Sequence, residues 1–279
     1  MNRNERVKML IPVLGCCGLL LGAQLIADLI FTVYFVLDMG IGNIPTAEAD
    51  AILYEKLMEH SNEVMLLAYC LTLIGLLIWA KVVKNPFFVH TGLNLKTTRP
   101  IGVLSLLAGV AANIWFSLML GLIPWPETWV EEYLDASAAI TSSSLPIELL
   151  TVVLLAPLVE EILFRGMVYR YLSMALPAGA AILFQGMLFG GMHGTMIWIA
   201  YASILGCIIG YVRSRTGSLH ATILMHIGFN GGSYLFGYLI NQWEDSGSAL
   251  FLGLFVSAVL FLLMLYGIEY RVGDQSESV

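Results

Sequence analysis

The sequence predicts an all-α, polytopic membrane protein of about eight transmembrane helices with both termini cytoplasmic, and three observations predict it. Of 279 residues, 58% are hydrophobic and 12% charged, whereas soluble domains run at about 45–50% apolar and about 25% charged. Most of the chain consists of apolar stretches near the roughly 20 residues that a helix needs to cross the hydrocarbon of a bilayer. The basic residues, finally, fall in alternate loops. A net charge of −7 excludes a nucleic-acid-binding surface.

Apolar length and polar breaks place the spans at about 9–37, 63–83, 102–123, 147–171, 175–193, 197–212, 219–240 and 249–268. The first follows Arg3, Arg6 and Lys8 and continues too far, without a small-residue cleavage pattern, for a signal peptide, so it is expected to be retained. Cys16, Cys17, Cys70 and Cys207 all lie in apolar stretches and read as small buried hydrophobes. The division expected is a three-span N-terminal region (1–144), a core of four spans (145–240), and a final span with a cytoplasmic tail (241–279).

Lys and Arg are retained on the cytoplasmic side. With the N-terminus inside, eight spans put Arg3, Arg6, Lys8, Lys81, Lys84, Lys96, Arg99, Arg165, Arg170, Arg213, Arg215 and Arg271 at or near that side, and leave only Lys56 outside. The external loops are acidic, with Glu48, Asp50, Glu55, Glu59, Glu127, Glu131, Glu132, Asp135, Glu244 and Asp245. Trp125, Trp129, Trp198 and Trp243 fit an interfacial aromatic belt, and His60, His90 and His220 sit near span ends.

Ionisable side chains inside a span cost about 3 kcal/mol or more and are functional candidates by default. The fourth span holds the densest set, in Pro157-Leu158-Val159-Glu160-Glu161-Ile162-Leu163-Phe164-Arg165. Glu161 and Arg165, at i and i+4, share a face and can pair. Glu160 points about 100° away and lacks that partner, which makes it the candidate general base. The fifth span ends on Phe189 to His193, beside a ridge of Gly186, Gly190 and Gly194 that admits another backbone closely. The seventh carries His226 and Asn230 on one helical face.

Depth follows from the rise of a helix. Positions 160 and 193 are equidistant from the turn at Leu176-Pro177, so in an antiparallel pair they lie level, about 24 Å from that turn. If the site is to be shallow, the hairpin must project past the cytoplasmic face. Pro157, one turn before Glu160, removes a helical hydrogen bond and is expected to open a cavity there. Gln24 and Asp28 in the first span are expected to hydrogen-bond between helices.

A carboxylate base, two imidazoles and an amide suit activation of water and stabilisation of an oxyanion, as in hydrolysis of an acyl or peptide bond. Gly-x-Ser-x-Gly, His-Glu-x-x-His and Gly-x-Gly-Asp are all missing from the sequence, so serine, site-2-type zinc and aspartyl intramembrane proteases lack their signatures. A non-catalytic alternative also fits the same polar pocket: a membrane immunity or transport protein that binds a peptide or ion.

At Glu160-Glu161 to Arg165, Phe189 to His193 and His226 to Asn230, the sequence resembles the CPBP family of intramembrane proteases, also called abortive-infection proteins. That family includes the type II CAAX prenyl endopeptidases. The resemblance spans about 145–234. It implies an eight-helix plasma-membrane protease whose cavity faces the cytoplasm, acting on a membrane-associated or lipidated peptide. It also implies roles: Glu160 and His193 activate water, His226 and Asn230 form the oxyanion hole, and Glu161 with Arg165 and Phe189 support them. The family is often labelled metalloprotease, and Glu160, His193 and His226 would supply a His₂Glu zinc set if a metal is present. Asn230 favours the metal-free version, because an amide is a poor zinc ligand and a good oxyanion donor, so no cofactor is expected.

Overall fold

The computed structural model describes residues 3–40, 46–84, 87–244 and 247–277. The side chains of Arg3, His90, Trp243 and Glu244, and all of Asp245, lie outside the described residues. Among those described, every regular element is helical.

After a short helix at Arg3–Lys8 come α1 (Leu10–Met39), α2 (Thr46–Glu59), α3 (Ser61–Val82), α4 (Arg99–Leu122) and α5 (Glu127–Ile140). A long helical run, α6, occupies 145–175, followed by α7 (Ala178–Gly191), α8 (Met196–Thr216), α9 (Leu219–Glu244) and α10 (Gly247–Glu277). Five helices among the described residues are long and apolar enough to cross a membrane: Asn4–Met39, Ser61–Val82, Arg99–Leu122, Met196–Thr216 and Gly247–Asp274. Local chemistry sets the ends. Gly40 and Gly217 close α1 and α8 at φ +63° and +65°, a conformation that a side chain resists. Thr195 caps α8 by accepting from the Trp198 amide at 3.4 Å, and Pro177 precedes α7.

Two acidic stretches expected as external loops are instead helices α2 and α5. The signal was present in the sequence: Tyr133, Ser137, Ile140 and Thr141 share one helical face, while Glu127, Glu131, Glu132 and Asp135 lie on the exposed side. The start of α3 holds the end of α5. Ser61 Oγ donates to the Ala139 carbonyl at 2.5 Å and Asn62 Nδ2 to that of Ile140 at 2.5 Å, which satisfies carbonyls that a helix end leaves free.

The run α6 departs from a simple kink at Pro157. It is π-helical over Leu149–Leu155, α-helical over Ala156–Glu161, π-helical again over Ile162–Val168, then α-helical to its end. In the first π segment the Ala156 amide bonds to the Thr151 carbonyl, five residues back. In that register the Val152 carbonyl would pair with residue 157, a proline with no N–H to give. Asn230 Nδ2 supplies the missing donor, at 2.8 Å. In the second π segment the Arg165 carbonyl accepts from Arg213 Nε at 3.3 Å.

Glycine lets α7 and α8 meet. A Cβ on Gly190 would collide with Ser203 and the Ile199 carbonyl, and one on Gly186 with Cys207 and Ser203. Gly194, the third member of the expected ridge, instead turns the chain at φ +82° between the two helices.

Candidate active site

Below Glu160, toward the end of the bundle that carries Lys81, Lys84, Arg170 and Arg213, the interior is filled by buried side chains. Ile162, Leu163, Phe164, Met167 and Val168 of α6 pack with Phe189 and Leu219 in one buried cluster. Glu161 and Arg165 are embedded there, both fully buried. Arg165 Nη1 meets Glu161 Oε1 at 2.8 Å, its Nη2 donates to the Gly206 carbonyl at 3.1 Å, and the guanidinium lies 4.4 Å from the Phe189 ring centroid. The same Glu161 oxygen takes His226 Nδ1 at 2.9 Å. Burying two charges is costly unless each is paired and hydrogen-bonded, and here one carboxylate ties together two helices and the imidazole between them.

Glu160 does not share that pair, as its helical offset predicts. Its Oε1 accepts a hydrogen bond from the Tyr69 hydroxyl of α3, and its Oε2 lies 3.8 Å from His226 Nε2. Tyr69 is the residue that sequence reasoning missed, since one tyrosine in an apolar span carries no motif. It is held among Leu20, Met65, Leu73, Ala156 and Val159.

His193 follows α7 directly, and its Nδ1 bonds to the Phe189 carbonyl at 2.8 Å. A carbonyl only accepts, so Nδ1 carries the hydrogen and the neutral ring turns a lone pair outward at Nε2. Phe189 separates the two histidines, its ring 4.7 Å from that of His193 and 5.7 Å from that of His226. No hydrogen bond joins Glu160 to His193. What unites them is a cavity of about 550 Å³ that both line, together with Tyr69, His226 and Asn230. All four expected reacting residues therefore border one space, and Glu161 and Arg165 lie behind it.

The rest of the lining is mainly apolar, including Leu20, Leu21, Phe116, Val152, Ala156, Tyr201 and Phe229, with Gln24 at one side. Gln24 Nε2 donates to Asp28 at 3.0 Å within α1, so this pair bonds along one helix rather than between helices. Among the described residues, no three His, Cys, Asp or Glu side chains come together as a metal-binding group. His226 Nδ1 bonds to Glu161, His193 Nδ1 to the Phe189 carbonyl and Glu160 Oε1 to Tyr69, so His193 Nε2, His226 Nε2 and Glu160 Oε2 are the atoms of the expected His₂Glu set that would hold a zinc ion.

The fold and the site define an integral membrane protein with a carboxylate, two imidazoles and an amide around an internal cavity. Residues 142–232 match the family model described as Type II CAAX prenyl endopeptidase Rce1-like, and over these residues the chain is similar to that family. No curated protein and no solved structure matches the chain.

Proposed function

We propose that the protein is an intramembrane endopeptidase that hydrolyses a peptide bond in a membrane-associated substrate, with Glu160 as the base that activates water. The observation carrying this reading is the position of Glu160: a carboxylate in the wall of an internal cavity, gripped at one oxygen by Tyr69, with the other facing His226 Nε2. In the reaction, Glu160 takes a proton from a water that the lone pair at His193 Nε2 helps to orient. The oxygen adds to the carbonyl carbon, and the negative charge that develops meets His226 and Asn230. His226 is held at Nδ1 by Glu161, which turns its Nε2 toward the developing oxyanion. Asn230 keeps its second amide hydrogen for the oxyanion while the first holds the Val152 carbonyl. Collapse of the intermediate breaks the C–N bond, and the proton from Glu160 goes to the leaving amine.

In this reading the chain crosses the bilayer eight times, α6, α7 and α9 adding to the five long apolar helices, and both termini lie on the cytoplasmic side of the plasma membrane. The three-span region 1–144 supplies Tyr69 to the four-span core 145–240, and 241–279 forms the last span and tail. The test is comparative proteomics of N- and C-terminal peptides in cells expressing the parent or Glu160→Gln, followed by cleavage of the identified substrate by purified protein. Glu160→Gln, His193→Ala and His226→Ala are each expected to abolish cleavage while remaining folded in detergent. Parent-level cleavage by Glu160→Gln would sink the mechanism.

A further inference from the structure

Helix direction assigns every wall of the cavity to one end of the bundle. The ends of α3, α6 and α8, and the starts of α4, α7 and α9, mark a basic end that carries Lys81, Lys84, Lys96, Arg99, Arg170, Arg213 and Arg215. Arg213 fixes the level of this end by bonding the carbonyls of Arg165, Thr91 and Gly217. From Glu160 toward the basic end, the path is blocked by Phe164, Arg165, Met167, Phe189, Leu205 and Met225, each no more than 2% exposed.

The cavity extends the other way. On α9 its lining climbs from His226 through Asn230 to Ser233 and Tyr234, away from the basic end, and on α6 it runs from Glu160 back through Ala156 to Val152. Its far wall is the inner face of α5, with Tyr133, Ser137, Ile140 and Thr141, and Leu120 closes the end of α4. The exposed lining residues mark the mouth. Thr141 and Ser233 are open at the α5 end, and Leu21 of α1, 51% exposed, opens on the lipid-facing side.

Eleven of the thirteen basic residues belong to the sealed end, Arg165 is buried in the plug, and one, Lys56, belongs to the open end. Basic loops stay cytoplasmic. We infer that the catalytic cavity opens away from the cytoplasm, through a mouth beside α5 and the adjoining outer half of the bilayer. This rests on the hydrolytic reading of the site and reverses the expected cytoplasmic opening. Its substrates are then membrane-anchored peptides whose scissile bond is presented from the non-cytoplasmic side, and a lipidated tail confined to the cytoplasm has no route to Glu160.

Thiol accessibility tests it without an activity assay. In a chain with Cys16, Cys17, Cys70 and Cys207 replaced by Ala, single variants Ser137→Cys, Ser117→Cys and Ser233→Cys place a thiol in the cavity. Thr128→Cys on the outer face of α5 and Ser173→Cys in the hairpin report the two sides. Right-side-out and inverted membrane vesicles are treated with a charged, membrane-impermeant maleimide. The cavity thiols are expected to label with Thr128→Cys in right-side-out vesicles and to lose that label in inverted ones, where Ser173→Cys labels. Cavity thiols that label with Ser173→Cys, or that label from neither side while both reporters do, would overturn the inference. The same map read in Glu160→Gln separates the two claims, since an outward mouth with undiminished cleavage in that variant removes the mechanism and leaves the opening intact.

Discussion

Replacing Tyr69 with Phe isolates the contact that the N-terminal region makes with the reacting carboxylate. The substitution keeps the ring among Leu20, Met65, Leu73, Ala156 and Val159 and deletes one hydroxyl, the donor to Glu160 Oε1. Hydrogen bonds to charged groups contribute about 1.5–3 kcal/mol, and a tenfold rate change corresponds to about 1.4 kcal/mol, so an orientation lost in full slows the chemical step about 10- to 150-fold. The hydroxyl points at the base and not along the rest of the cavity wall, so the loss belongs in kcat, with KM little changed. The assay is steady-state cleavage of the identified substrate in proteoliposomes, with thermal unfolding in detergent measured alongside. A merely structural tyrosine predicts a lower folded fraction with unchanged kcat per folded molecule. That pattern, or parent-level kcat, would refute the positioning argument.

Other substitutions probe the remaining supports. Asn230→Leu removes the donor to the Val152 carbonyl, which Pro157 leaves without a backbone partner, so stability should fall by about 1–3 kcal/mol. Loss of the oxyanion donor in the same variant should lower kcat by about 10²- to 10³-fold, checked by unfolding midpoints and cleavage rates. Glu161→Gln leaves Arg165 buried without its counter-charge, a loss of about 3–5 kcal/mol, and is expected to collapse the yield of monodisperse protein on gel filtration. Gly190→Val drives a side chain into Ser203 and Ile199, separates α7 from α8 and shifts His193, so both yield and activity should drop. Prolonged treatment with a zinc chelator is expected to leave cleavage unchanged, and loss of activity restored by added zinc would reverse the metal-free mechanism.

What the sequence made legible was local. Glu161 and Arg165 stand one helical turn apart, and their pairing could be read from spacing. Counting residues to Pro177 brought Glu160 and His193 near one another, and both line the same cavity. The contacts that complete the site join residues far apart in the chain: Tyr69 with Glu160, His226 with Glu161 and Asn230 with Val152. No periodicity encodes those distances. Pro157 announced a disturbed helix, but only the π register explains why the Val152 carbonyl needs Asn230. The direction of the cavity was hidden for a related reason. Charge fixed which end of the bundle is basic, whereas the position of the apolar plug at Phe164, Met167 and Phe189 depends on how α6 and α7 pack. Helix α5, whose inner face forms the far wall, was legible in its apolar face and was masked by the acids on its other side.

The central claim is that Glu160 activates the attacking water, and its most direct measurement is the cleavage rate of Glu160→Gln against the parent. Both proteins are reconstituted at equal density in proteoliposomes with the substrate found by terminal proteomics. The account predicts cleavage by the parent and none above the protein-free background for the variant, at equal unfolding temperature. Cleavage by a well-folded Glu160→Gln protein at the parent's rate would contradict it.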